Sequence, residues 1–378
     1  MAGIDAPTVP SPRVDPPPTM PVELSVALCT YNGERWLPDL LASIAAQARP
    51  PDELVVFDDA SDDRTVAVLQ EFAVTAAFDV RIHVNADRLG STRNFAAALA
   101  ECRGRLVALA DQDDVWYPHK LALLLWEFDQ DPTISMVFSD ADLIDEAGNQ
   151  LGNRLWDTRL IGRFLRRHPV VPEDLFARRA LTTGCTMAVR RRVIEAASPF
   201  PDLMDDPRAL MRHDRWLSLV AAAVGTVRAL PEPCLGFRVH PSQETGVLVG
   251  RQRTAALWRA ARRVGRTTTP TAEHQVRAAQ LEAAAGRAEL IGDFNEAGVL
   301  RSVADHQHER ALVGQPGHGP IAVLRAAANR EYRGDPLSLV AAAADVTRAL
   351  SPAYRRPRPP LPVGEPSGAG HPREVAAG

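Results

Sequence analysis

A chain of 378 residues, 46% of them hydrophobic, can bury a full core and leaves room for a large catalytic unit with an appendage. A formal charge of −4 excludes the basic surplus of a nucleic-acid-binding protein, so any hold on phosphates must come from a local site. Four cysteines (Cys29, Cys102, Cys185 and Cys234) lack the pairing of a zinc site and the density of a disulfide scaffold, and read as reduced core residues of a cytoplasmic protein.

In chain order, Met1 to Pro21 is proline-rich, has no apolar run of a secretory signal and reads as a disordered leader. Leu24 to Cys29 is an expected buried strand, and Arg35 to Gln47 a helix with Leu37, Leu40, Leu41 and Ile44 on one face. Glu53 to Asp58 is the next strand. Ser61 then offers an N-cap oxygen to a helix running through Phe72. Val80 to Val84 is a third strand, Ser91 to Cys102 a helix, and Arg105 to Ala110 a fourth strand. Pro118 suits the first turn of the helix that follows. This alternation predicts an α/β fold, a largely parallel sheet with helices on both faces.

From Ile134 to Gly250 the pattern is looser. It holds a strand over Ile134 to Phe138, a turn at Gly148-Asn149, a small-residue segment from Thr182 to Val189 leading into a helix, and a helix from His213 to a C-cap at Gly225. Helical patterns follow over Ala255 to Val264, Glu273 to Ile291, Ile321 to Tyr332 and Pro336 to Leu350. The expected layout is therefore a leader (1–21), a catalytic domain (22–250), a helical extension (251–350) and a disordered tail (351–378). No apolar stretch approaches the roughly 20 residues that span a bilayer; Leu217 to Val227 is cut short by Arg228. Peripheral contact with a membrane stays open.

Open α/β sheets bind ligands beyond the carboxyl ends of their strands. Three polar groups fall there: Thr30-Tyr31-Asn32, Asp58-Asp59 and Asp111-Gln112-Asp113-Asp114. Asp111 and Asp113, two hard oxygen donors on a short loop, suit Mg²⁺ or Mn²⁺ shared with a substrate diphosphate; a solvated, helix-capping turn is the alternative. Asp59 suits a nucleobase N–H or a ribose hydroxyl. Asp214, in Arg212-His213-Asp214-Arg215-Trp216, is either a general base or a helix-start acid paired with arginine. Arg238 and His240 share a face of an extended segment, either reaching phosphate oxygens or serving the fold.

These groups, in this order, resemble family 2 glycosyltransferases, inverting enzymes of the GT-A fold, over about Leu24 to Gly246. The segments that carry the resemblance are Ser25 to Asn32, Val55 to Thr65, Asn85 to Gly90 with Arg93-Asn94, Leu109 to Asp114, Thr183 to Met187 and His213 to Trp216. The resemblance implies a nucleotide-diphospho-sugar transferase with a Rossmann-like mixed sheet and a C-terminal helical extension. It implies a UDP- or dTDP-sugar donor bound by Thr30, Tyr31, Asn32, Asp59, Asn94, Asp111, Gln112, Arg238 and His240. Mn²⁺ or Mg²⁺ would sit on Asp111 and Asp113, with Asp113 the more direct ligand. Asp214 would be the catalytic base, and Gly184 and Cys185 would face a glycan or lipid-linked hydroxyl acceptor. The stretch Phe237-Arg238-Val239-His240 is similar to a Tyr-Arg-x-His segment of bacterial members that add rhamnose and related sugars to surface polysaccharides, with Phe237 in place of the tyrosine. The processive Gln-x-x-Arg-Trp motif is missing. A haloacid-dehalogenase-like phosphatase, with Asp111 as nucleophile, is the competing expectation.

Overall fold

The computed structural model describes residues 22–158, 182–205, 211–243 and 271–290, together with 297, 298, 300, 301, 304, 305 and 308. The expected leader, the expected tail and the helices expected at 255–264, 321–332 and 336–350 lie outside the described residues.

The first half is the expected alternation: β1 (Leu24–Thr30), α1 (Leu37–Ala45), β2 (Glu53–Asp58), α2 (Thr65–Thr75), β3 (Asp79–Val84), α3 (Ser91–Glu101) and β4 (Leu106–Asp111). Strands β3, β2, β1 and β4 are parallel neighbours in that order. β1, β2 and β4 are buried almost end to end, as strands covered on both faces must be. Their side chains alternate between two cores. Ala27, Val55, Phe57, Val107 and Leu109 face one, and Val26, Leu28, Leu54, Val56, Ala108 and Ala110 the other.

After β4 the chain makes a two-residue strand, β5 (Val115–Trp116), then α4 (Lys120–Gln130), β6 (Ile134–Ile144), β7 (Gln150–Arg154) and the short helix α5 (Leu155–Thr158). A 3-10 turn at Gly184–Thr186 leads into β8 (Met187–Arg190) and α6 (Arg191–Ala197); α7 (His213–Val224) and β9 (Thr226–Arg238) follow. The sheet runs β3-β2-β1-β4-β8-β6-β9-β5, with β7 beside β6. β8 is antiparallel to β4 and β6, whereas β6 and β9 are parallel. A further helix, α8 (Thr271–Leu290), lays Ala278, Leu281, Ala284, Ala285 and Ala288 into the core that also holds Trp216 and Leu217 of α7. Among the described residues no helix is long and apolar enough to cross a membrane. All four cysteines are free, three of them buried.

Several local expectations need correcting. The strand expected to stop at Phe138 continues to Ile144, because β9 pairs along its whole length. The segment from Thr182 contains a strand, β8, wedged between β4 and β6. Pro118 precedes α4 by two residues instead of sitting in its first turn. Ser61 does not cap α2; its hydroxyl turns back to Asp58, and Asp63 accepts the Thr65 N–H at 2.8 Å. Gly225 does end α7, through contact and not a left-handed turn: a Cβ there would lie 2.3 Å from the Thr133 carbonyl.

Candidate functional site

The carboxyl ends of β1, β2 and β4 are tied together before any ligand is considered. Asp58, fully buried, accepts Thr30 Oγ1 at 2.8 Å, Ser61 Oγ at 2.6 Å and the Ser61 N–H at 2.9 Å. The Thr30 hydroxyl is thus committed to the fold. The knot leaves Asn32 and Ala60 in the left-handed region, at φ 46° and 61°, which is strained for alanine. Asn32 is also held: its N–H donates to Ser61 Oγ, and its Oδ1 accepts the Asp62 N–H at 3.0 Å.

Gln112 is fastened to Tyr31 like one rung of a sheet. Its Oε1 accepts the Tyr31 N–H and its Nε2 donates to the Tyr31 carbonyl, both at 2.9 Å. Gly33 makes room for this clamp, since a Cβ there would sit 2.2 Å from Gln112 Oε1. The Tyr31 ring is left to stack with Arg88, whose guanidinium carbon is 3.7 Å from the ring centroid.

Asp59 is buried, and its carboxylate is occupied by its own chain. It accepts the N–H groups of Leu89 at 2.6 Å and Gly90 at 2.8 Å, and Asn85 Nδ2 at 3.1 Å. Asn94 completes the frame, donating to the Phe57 carbonyl and accepting from Asn85, both at 2.8 Å. Thr30, Asp59 and Asn94, all expected on the nucleotide, therefore shape the strand-end cleft with hydrogen bonds inside the protein.

The four residues of the acidic run point in different directions. Asp113 Oδ2 lies 2.9 Å from His240 Nε2, and His240 Nδ1 lies 2.9 Å from Ser242 Oγ. Asp111, Asp114 and Cys185 bring their possible ligand atoms within 4.8 Å of one another. Burial, then the charges of Asp113 and Asp214, push the Asp111 carboxyl up to about 7. Burial and the charges of Asp113 and Asp111 likewise raise Asp114 well above the carboxylate range. Burial and the charges of Asp114 and Asp111 hold the Cys185 thiol well above its ordinary value. This trio lies at the floor of the acidic run, while Asp113 pairs with His240.

Arg238 departs most from expectation. It is 1% exposed, and every guanidinium nitrogen has a protein acceptor: Nε on the Asp113 carbonyl at 2.7 Å, Nη1 on the Glu146 carbonyl at 2.9 Å, and Nη2 on Asp39 at 2.9 Å. Its backbone N–H also reaches Asp114 Oδ1 at 3.1 Å. Arg238 braces the acidic loop from behind and does not face a diphosphate; His240, two residues on, is the member of the pair at the cleft.

Asp214 occupies the first turn of α7, its Oδ1 accepting the Arg215 N–H at 2.7 Å. Its charge is felt at Asp111, so α7 delivers it to the same strand edge as the acidic run. His213 beside it is buried and stacked on Phe95 with ring centroids 3.9 Å apart. Gly184 is small for the sake of that ring, since a Cβ would lie 2.7 Å from His213 Nε2.

Sequence reasoning missed two buried polar groups here. Lys120 is fully buried, with Nζ on the Cys185 carbonyl at 2.6 Å and over the Trp116 ring. Asp140 on β6 has one oxygen on the N–H groups of Ala141 and Trp156, at 2.9 and 3.0 Å, while Oδ2 is buried without a partner among the described residues. The available signal was polarity within an otherwise apolar strand. Burial pushes the Asp140 carboxyl up to about 6. Because this exceeds an unfolded value of about 3.9, the folded state binds more protons between roughly pH 4 and 6. Its stability falls as pH rises through that window and is level above it. Asp140→Asn should therefore gain on the wild type between about pH 4.5 and about pH 7.5, by at most about 3 kcal/mol. Urea titrations at the two pH values measure this, and a pH-independent difference would contradict the assignment.

Residues 25–196 match the sequence profile of Glycosyl transferase family 2. This segment is a family 2 glycosyltransferase domain. Its mixed α/β sheet is the GT-A fold, and the phosphatase alternative is not favoured. Among relatives of this family 2 domain, an uncharacterized glycosyltransferase of Nostoc sp. is 28% identical over 58% of this chain and 65% of its own length. The putative teichuronic acid biosynthesis glycosyltransferase TuaG of Bacillus subtilis is 32% identical over 34% of this chain and 50% of its own. In both cases this chain spans less than two thirds of the relative. The solved structure of S. aureus TarS 1–349 in complex with UDP-GlcNAc aligns with a TM-score of 0.49 at 15% identity, covering 86% of this chain and 89% of that one.

Proposed function

We propose that this chain transfers a sugar from a UDP- or dTDP-sugar to a hydroxyl of a glycan or lipid-linked acceptor, with inversion, in the assembly of a bacterial surface polysaccharide. The observation that carries the reading is the convergence of Asp113–His240 and Asp214 on one strand edge, with Tyr31 clamped beside them. Relatives support the substrate class: TuaG in teichuronic acid synthesis, and a dTDP-rhamnosyl transferase of Shigella flexneri, 29% identical over 25% of this chain. Work at the cytoplasmic face of the membrane, where a lipid-linked acceptor is within reach, belongs to the same proposal.

The donor set fits Mn²⁺ or Mg²⁺. Asp113 Oδ2 and His240 Nε2, now hydrogen-bonded to each other at 2.9 Å, are a carboxylate oxygen and an imidazole nitrogen that would hold such an ion in place of that bond. Asp111 adds a third hard ligand from the same loop. The ion, when bound, supplies charge neutralisation to the departing diphosphate. Tyr31 carries the nucleoside on its ring, and Arg238 keeps the loop from shifting. Asp214 accepts the acceptor hydroxyl's proton as that oxygen bonds to the anomeric carbon. The bond from that carbon to the diphosphate breaks in the same step, its electron pair leaving with the nucleotide. One displacement inverts the centre.

A panel of nucleotide sugars, each with Mn²⁺, tests the reading by thermal stabilisation and by release of free nucleotide. One donor class should raise Tm and be turned over when a hydroxyl acceptor is supplied. Stabilisation by none of the UDP- or dTDP-sugars, with hydrolysis of a simple phosphate ester instead, would overturn it.

A further inference from the structure

One turn beyond Asp214, α7 carries Ser218, a buried hydroxyl in the apolar stretch Leu217-Ser218-Leu219-Val220. Alanine forms helix better than serine, and a buried hydroxyl is costly unless it is hydrogen-bonded. Ser218 is bonded on both sides. Its Oγ lies 2.7 Å from the Asp214 carbonyl and 2.7 Å from Oγ1 of Thr182, itself buried; Met136 Sδ, 3.8 Å away, is a weaker acceptor. The directions follow from the proton count. A carbonyl only accepts, so the single Ser218 proton goes to Asp214 and Thr182 must donate to Ser218. Thr182 O–H, Ser218 O–H and the Asp214 carbonyl thus form a chain in which each link polarises the next.

Thr182 opens the segment that stands against the acidic loop. Thr186 folds back on the Thr183 carbonyl through its N–H at 3.0 Å and its hydroxyl at 2.7 Å, which closes the turn. Lys120 Nζ ties the Cys185 carbonyl of that turn to α4. Cys185 Sγ lies within 4.8 Å of a carboxylate oxygen of Asp111 and of Asp114. A Cβ on Gly184 would lie 2.7 Å from Nε2 of His213, the neighbour of Asp214. One short segment therefore meets the acidic loop on one side and the first two turns of α7 on the other.

We infer that Thr182 is a positioning residue for Asp214, acting through Ser218. Its hydroxyl fixes the start of α7 against the Gly184–Thr186 turn. It thereby sets the distance between the carboxylate that takes the acceptor's proton and the loop that holds the departing diphosphate. The hydrogen bond that Asp214 Oδ1 accepts from the Arg215 N–H lies within the helix and cannot set that distance. A reacting group displaced by about 1 Å loses roughly 10²-fold in rate, so a tie of this kind bears on turnover. The role rests on the reading of Asp214 as the base.

Thr182→Val keeps the shape and removes the donor, whereas Thr182→Ser keeps the donor. In the unliganded protein, amide hydrogen exchange over Leu217 to Val220 should be at least about fivefold faster in Thr182→Val than in wild type. Thr182→Ser should restore it. Ser218→Ala should match Thr182→Val, and the double variant should add nothing to either. Unchanged exchange in Thr182→Val overturns the inference. With a nucleotide sugar that the wild type turns over, Thr182→Val should lower kcat by about 10-fold. Its KM for the donor and its affinity for UDP should stay within about twofold of wild type, and Thr182→Ser should recover kcat. Faster exchange with unchanged kcat, or an equal loss of UDP affinity, also overturns it, because the hydroxyl then serves the fold alone. Full turnover by Asp214→Asn refutes the base and with it the catalytic role of Thr182. An impaired Asp214→Asn beside an unaffected Thr182→Val refutes the Thr182 role alone.

Discussion

Asp113→Ala is expected to weaken UDP binding in the presence of Mn²⁺ by about 100-fold while leaving binding in a chelator unchanged. The side chain supplies Oδ2, 2.9 Å from His240 Nε2, and removing it breaks the ligand pair. The fold should survive, because Arg238 holds this residue by its main-chain carbonyl, which alanine retains. His240→Ala should lose affinity in the same metal-dependent way, because it removes the other half of the pair. Calorimetric titration of UDP with Mn²⁺ and with chelator separates the two contributions. Equal affinity for wild type and Asp113→Ala in Mn²⁺ would show that the metal sits elsewhere, the buried trio below being the next place to look.

Asp214→Asn should reduce turnover by about 10² to 10⁴ and leave the affinity for UDP with Mn²⁺ within about twofold. The asymmetry follows from the geometry. Asp214 comes from α7, whereas Tyr31, Asp113 and His240, the proposed nucleotide and metal contacts, come from the segments that follow β1, β4 and β9. Asparagine keeps an Oδ1 that can accept the Arg215 N–H, so the helix start is preserved while the proton acceptor is lost. Full turnover in a correctly folded Asp214→Asn would remove Asp214 from the role of base and leave the buried acids of the floor as candidates.

The parallel half of the sheet was legible because β1, β2 and β4 are short apolar runs ending in polar residues, and strand ends of such sheets gather in space. That logic put Asp59 and the acidic run on one edge, whereas Asp214 was legible only as an acid at a helix start, and α7 is what carries it there. What each side chain does there was not legible. Asp59 and Thr30 look like ligand contacts when one asks what a carboxylate or hydroxyl at a strand end can bind. Their partners, the N–H groups of Leu89 and Gly90 and the carboxylate of Asp58, come from loop conformations that no local pattern specifies. Arg238 and His240 were read as equals on one face of a strand. Instead β9 stops at Arg238, which is sealed in, while the next turn carries His240 to the cleft. Lys120 went unremarked because a lysine opening a helix is ordinarily solvated, and its burial depends on the Cys185 carbonyl and the Trp116 ring, which only the folded chain brings to it.

The pairing of Asp113 with His240 joins positions 127 residues apart, and β5 meets β9 through Val115 opposite Gly236 and Trp116 opposite Leu235. A chain emerging from the ribosome can therefore complete the four parallel strands β3-β2-β1-β4 long before the residues that finish the cleft exist. Contacts of such sequence separation form late, after the entropy of closing a long loop has been met. The acidic loop must pass through synthesis as a half-site, without the Asp113–His240 pairing or the Arg238 brace, and on the proposed metal reading a divalent ion would meet both ligands only once the last strand has docked. Metal would then act as a lock on a finished fold and give no help to a folding one.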